Sequence, residues 1–156
     1  MTDDNLYRRG AGIMLLNADG KAWVGRRIDN RADAWQMPQG GLEEDESPWE
    51  GALRELEEET GVPPHLVERL AECAEPLRYD LPPDLAGKLW RGQWKGQVQH
   101  WFAARFTGVD ADVNIATEQT EFSDWKWVDP PTLPDLIVPF KRELYERLLR
   151  EFRDCL

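Results

Sequence analysis

Glu55, Glu58 and Glu59 stand at i, i+3 and i+4, a spacing that on a helix projects all three carboxylates from one face. Crowded like this on an exposed helix, they repel by roughly 0.2–0.5 kcal/mol per pair, and by more if the site is partly buried. Hard divalent cations relieve that repulsion, because carboxylate oxygens are the donors magnesium prefers. Taken alone, three glutamates on a helix more often form a solvated acidic face. Their neighbours decide between the two.

Gly40 is followed after five residues by Glu46, and after seven more by Arg54-Glu55-Leu56; Glu58-Glu59 and Gly61-Val62 complete the run. The pattern is Gly-x5-Glu-x7-Arg-Glu-apolar-x-Glu-Glu-x-Gly-apolar, filled at every specified position. Average composition gives it a chance occurrence on the order of one in a hundred million per start site. On this motif the chain resembles the Nudix hydrolases, and the resemblance implies a Nudix-type α/β/α sandwich with a mixed sheet. It implies that Glu55, Glu58 and Glu59 bind divalent ions (Mg2+ or Mn2+, two or more) through which a water attacks a phosphoanhydride in line. Gly40-Gly41 leaves a backbone carbonyl of Gly40 free to approach a metal. Arg54 can clamp the glutamates by charge-assisted hydrogen bonds without touching substrate, and Glu46 supports the loop.

Further blocks resemble one branch of that family, the bacterial RNA pyrophosphohydrolases and dinucleoside polyphosphate hydrolases. They are Tyr7-Arg8-Arg9, Trp35-Gln36-Met37-Pro38-Gln39-Gly40-Gly41, Leu77-Arg78-Tyr79-Asp80-Leu81-Pro82, Gly96-Gln97-Val98-Gln99-His100-Trp101-Phe102, a block from Glu121 to Val128, and Phe140-Lys141-Arg142. The resemblance makes Glu121 a fourth carboxylate reaching the metals, against a plain edge glutamate. It makes Tyr79 and Phe140 stacking surfaces for a nucleobase, against a strand tyrosine and an ordinary helix start. Arg8, Arg27, Gln39 and Lys141 become substrate contacts. His65 and His100 receive no part. The implied substrates are dinucleoside polyphosphates or the 5′-triphosphate end of RNA; a sanitiser of damaged nucleoside triphosphates and a non-catalytic nucleotide sensor are the competing readings. A sensor usually lacks box carboxylates, which are all present here.

Positioning these groups requires a framework. Ser47 as N-cap, Glu50 three residues later, Pro48 at the first turn and Gly61 as the stop define a helix over Pro48–Thr60. Its apolar stripe is Trp49, Ala52, Leu53 and Leu56. Residues 7–17 and 21–27 read as a hairpin turning at Asp19-Gly20, and residues 29–34 as a loop. Strands are predicted within 67–79 and over 98–107 and 122–128, and an amphipathic helix over 140–152. The Pro- and Gly-rich stretch 81–96 reads as a long loop; its Lys88, Arg91 and Lys95, interleaved with Trp90 and Trp94, suggest a basic lid over an anionic substrate. The alternation of strands and helices implies one α/β domain over residues 1–156.

The formal charge of −11 argues against DNA binding and against broad, non-specific binding to a nucleic-acid backbone, which needs a net basic face. Between Glu43 and Glu59 nine acids face one base, which leaves only −3 for the rest of the chain. A concentrated acidic site on a nearly neutral body points to cations and, through them, phosphates. Cys73 and Cys155 match no metal spacing and read as reduced thiols of a cytoplasmic protein. No apolar run is long enough to span a bilayer, and no leader pattern precedes Tyr7. Nothing in the sequence identifies a protein partner.

Overall fold

A computed structural model describes residues 6–28, 33–118 and 120–156, with the side chain of Trp90 left aside. The elements are β1 (Tyr7–Leu16), β2 (Ala22–Arg27), β3 (Trp35–Gln36), β4 (Gln39–Gly41), α1 (Pro48–Thr60), β5 (Val67–Glu72), β6 (Leu77–Asp80), α2 (Pro83–Ala86), β7 (Gly96–Phe106), β8 (Phe122–Val128), α3 (Leu133–Leu136) and α4 (Arg142–Glu151). The eight strands form one mixed sheet. β1 lies parallel to β7 from Tyr7↔Gly96 to Leu16↔Arg105. β5 and β6 both run antiparallel to β7.

The expected hairpin is real only at its root. β1 and β2 pair at Leu16↔Ala22 and then diverge, and β2 continues alongside β8 instead. Residues 35–41 fill the gap: Gln36 pairs with Gly25 of β2, while β4 pairs with β1 through Ala11↔Gly40 and Gly12↔Gln39. The Pro38 carbonyl accepts from the Ile13 amide at 3.1 Å, so the proline costs the ladder no acceptor. The insertion seats Gly40 within the sheet and opposite α1.

Alternation along the strands sends one set of side chains to each face. Ile13, Leu15, Phe102 and Ala104 pack under α1 against Ala52 and Leu56. Met14, Leu16, Trp101 and Ala103 pack under α4 against Leu144, Tyr145, Leu148 and Phe152. The result is the expected α/β/α sandwich. α1 has the predicted bounds, with Ser47 Oγ accepting from the Glu50 amide and Gly61 closing the helix at φ +74°.

Other expectations need correction. The region 67–79 holds two strands rather than one, because the turn at residues 73–76 separates β5 from β6. The stretch 81–96 is not irregular: α2 and a 3-10 turn over Leu89–Gly92 order it, and β7 begins already at Gly96. A 3-10 turn over Pro139–Lys141 precedes α4, which therefore starts at Arg142. α3 carried no sequence signal strong enough to predict. Of the loop expected over 29–34, residues 29–32 lie outside those described.

Tyr145 ties α4 to the inserted segment, its buried hydroxyl accepting from the Met37 amide at 2.8 Å. Tyr145→Phe leaves that buried N–H without a partner, a cost of about 1–3 kcal/mol. Urea unfolding of the variant should show that loss; a change below about 0.5 kcal/mol would mean the contact does not hold the segment.

Candidate active site

One guanidinium organises the acidic face of α1. Arg54 donates from Nε and Nη2 to the two oxygens of Glu46, at 2.6 and 2.8 Å. Its Nη1 reaches Glu55 Oε1 at 2.9 Å and Glu58 Oε2 at 3.2 Å. Nη2 also donates to the Gly41 carbonyl at 2.9 Å. The planar fork of arginine allows this simultaneous grip; an ammonium would not match it. Glu46 in turn accepts from the Glu43 amide, fixing the loop before the helix. The hydrogen bond from Arg54 holds the Glu46 carboxyl below its usual pKa, and Arg54 is correspondingly raised.

The carboxylates nearer the sheet are shifted the other way. Burial raises Glu55 to about 7, with Glu58 and Glu121 adding repulsion and Arg54 opposing. Glu59 is raised well above the ordinary carboxylate range, first by burial and then by the charges of Glu121 and Glu55. Both of its oxygens are buried without a hydrogen-bond partner. An ionised carboxylate in that state costs several kcal/mol unless it is neutralised. An all-oxygen donor set that includes such an orphan fits a hard divalent cation. Among the described residues no three His, Cys, Asp or Glu side chains converge on one point; Glu55 and Glu58 are turned toward Arg54 instead. A Cβ at position 40 would lie 2.2 Å from the Glu55 carboxyl, so a side chain there displaces that carboxylate.

Beside these groups lies a cavity of about 510 Å³. Gly40, Glu55, Glu58 and Glu121 form its acidic wall, and Arg8, Arg27, Gln39, Tyr79, Phe140 and Lys141 are among the residues that line the rest. All the site residues expected from the sequence thus meet in one place, except that Arg54 and Glu59 stand behind the wall. Arg27 lies 3.7 Å from Glu121, bridging the acidic and basic sides. The Tyr79 ring is buried, with Phe140 at 6.0 Å between centroids and Lys141 Nζ at 5.2 Å. Burial, and then the charge of Arg27, lower Lys141 to about 8.

Gln97 in the wall and Gln99 behind it have no role in the sequence motif. Gln97 donates to the Tyr79 hydroxyl at 2.6 Å, and Gln99 donates to Gln39 Oε1 at 2.7 Å. Two glutamines at alternate positions, on the same face of the strand, were the available signal. The lid expectation is corrected in its chemistry. Lys88, Arg91 and Lys95 do not line the cavity; Leu81, Leu85 and Leu89, at four-residue spacing in the same stretch, do. That wall is apolar.

Residues 6–148 match the family model described as NUDIX domain. The chain belongs to the Nudix family. It is 54% identical to the RNA pyrophosphohydrolase of Erythrobacter litoralis, covering 99% of this chain and 95% of that one. The RNA pyrophosphohydrolase of Zymomonas mobilis is likewise 54% identical, covering 96% of this chain and 97% of that one. Among solved structures, a C. elegans Ap4A hydrolase superposes with a TM-score of 0.70 at 20% identity, covering 94% of this chain and 96% of that one, a likeness of fold. This Nudix hydrolase retains every residue of the box. Enzymes of the family generally use divalent metal ions. Among the described residues no helix is long and apolar enough to cross a membrane.

The raised carboxyls fix a pH dependence. Below pH 4.5 Glu55 is protonated folded or unfolded; between 4.5 and about 7 the unfolded chain releases the proton while the folded one retains it. The cation-free protein therefore loses stability as pH rises through that window. Unfolding midpoints in EDTA at pH 5 and 7.5 should show a fall that Glu55→Gln reduces and Mg2+ offsets at the higher pH. An identical pH dependence in the variant would refute the burial argument for Glu55.

Proposed function

We propose that this chain is an RNA 5′-pyrophosphohydrolase, releasing pyrophosphate from the 5′-triphosphate end of RNA and leaving a monophosphate. The observation that carries the reading is a single cavity with a carboxylate wall on one side and Arg8, Arg27 and Lys141 beside two aromatic rings on the other. Relatives of that name, 54% identical across nearly the whole chain, support it. We read residues 1–156 as one domain and place the enzyme in the cytoplasm.

Glu55, Glu58 and Glu59, with Glu121 and the Gly40 carbonyl, are the groups that would hold Mg2+ or Mn2+, two ions or more. When bound, such ions neutralise phosphate oxygens and make a water more acidic. The protein's own contribution is positioning and charge. Arg8, Arg27 and Lys141 bind phosphate oxygens; a triphosphate displaces Glu121 from Arg27 and thereby frees that carboxylate. Phe140, backed by Tyr79, gives a nucleobase a flat surface, a contact worth about 1–3 kcal/mol. The Gln39–Gln99 amide pair keeps the cavity floor rigid and polar. Arg54 holds the carboxylates in place and does not meet the substrate.

Competitive turnover of a short 5′-triphosphorylated RNA against diadenosine tetraphosphate tests the reading. RNA should be preferred, with pyrophosphate as the released product. Preference for the dinucleotide would reassign the enzyme to dinucleoside polyphosphates, and turnover of neither would favour a nucleotide sensor.

A further inference from the structure

Where β1, β7 and β6 run side by side, they carry two different surfaces back to back. Arg8, Gln97 and Tyr79 share one row and line the cavity. Strand alternation turns their chain neighbours to the opposite face, in the rows Tyr7–Gly96–Asp80 and Arg9–Val98–Arg78. Arg9 and Arg78 are therefore two strands apart on that face, about 10 Å from each other by strand spacing. Lys95 joins them at the start of β7, its ammonium 5.7 Å from the Tyr7 ring, while the Arg78 guanidinium lies 4.9 Å from the same ring.

All three cations are exposed, and among the described residues no carboxylate lies in ion-pair range of any of them. That contrasts with Arg26, Arg27, Arg54 and Arg142, each of which is paired. The nearby acid, Asp80, accepts from the Tyr7 hydroxyl at 2.6 Å, fixing the ring on which the two cations rest. Stems packed on a buried aromatic lose less freedom on meeting an anion than loose surface lysines do. On a chain of net charge −11 this strip is a local reversal of sign, set on the strands that form the cavity wall.

We infer that the strip of Arg9, Arg78 and Lys95 binds the phosphodiester backbone of the substrate RNA downstream of its 5′ end. The inference rests on the RNA reading proposed above. Charge complementarity selects a polyanion, and the strip's place on the reverse of the strands that carry Arg8 and Tyr79 selects the one whose end occupies the cavity. The strip lies across the sheet from the cavity, so a substrate of one or two nucleotides does not reach it.

The test compares wild type with Arg9→Gln/Arg78→Gln/Lys95→Gln on a 5′-triphosphorylated dinucleotide and a 5′-triphosphorylated 20-nucleotide single strand, at low and moderate salt. On the long RNA the triple variant should show a KM raised about tenfold with kcat unchanged. Its dependence of log KM on log salt should be shallower by about 2, from about 0.7 for each of three lost phosphate contacts. On the dinucleotide its KM and kcat should equal wild type, which also establishes that it folds; Arg9→Gln alone, away from Tyr7, should give a smaller change in the same direction. Wild-type KM on the long RNA in both variants, or an equal rise on both substrates, would overturn the strip while leaving the RNA reading standing. Failure of the wild type to turn over either RNA would overturn both.

Discussion

Everything at this site depends on one guanidinium shared among three carboxylates. Arg54 holds Glu46, Glu55 and Glu58 and the Gly41 carbonyl in a single plane of donors. That grip lets like charges stand on adjacent turns of α1, and it joins the helix to the inserted segment that carries Gly40. It does not complete the electrostatics. One cation facing three acids leaves charge over, and Glu59 and Glu121 lie outside its reach. The fold thus tolerates a local excess of negative charge, most of it behind or beside a cavity wall, and that excess is what a divalent cation would neutralise.

The sheet converts this local arrangement into a cavity with two chemistries. Divergence of β1 from β2 makes room for residues 35–41, which bring Gly40 and Gln39 up to the helix. Parallel pairing of β1 with β7 sets Arg8 beside Gln97, and β6 adds Tyr79 in the same row. The turn at Pro139–Lys141 then delivers Phe140 and Lys141 from the far end of the chain. Acidic groups from α1 and the loop before β8, basic groups from β1, β2 and the turn before α4, and aromatic groups from β6 and that same turn are distant in sequence and meet around one cavity.

Much of this was legible in the sequence where local rules operate. The bounds of α1 followed from Ser47, Pro48 and Gly61, whose capping chemistry is confined to a few residues. The Arg54 clamp was read from the motif, which sets one arginine among the glutamates. What could not be read was decided by long-range pairing. The 7–27 hairpin looked complete, yet β2 leaves β1 for β8, a strand nearly a hundred residues away. The basic residues of 81–96 suggested a lid facing anions, but α2 and the 3-10 turn after it bring Leu85 and Leu89 to the cavity instead, a choice of face that composition does not encode. Gln97 and Gln99 were visible only as members of a resembling block; their role needed the register that puts Gln39 above them.

The central claim is that the carboxylates of α1 act as ligands for the ions the reaction needs, rather than as a stabilising salt-bridge network. Glu58 is the member best suited to a direct test, because its side chain retains 34% exposure and an amide there incurs little burial cost. Turnover of 5′-triphosphorylated RNA by Glu58→Gln, measured across a Mg2+ titration beside its urea unfolding curve, is the decisive measurement. The account predicts a kcat lower by about 100-fold or more with an unfolding midpoint close to wild type. Wild-type turnover at wild-type Mg2+ demand would contradict it.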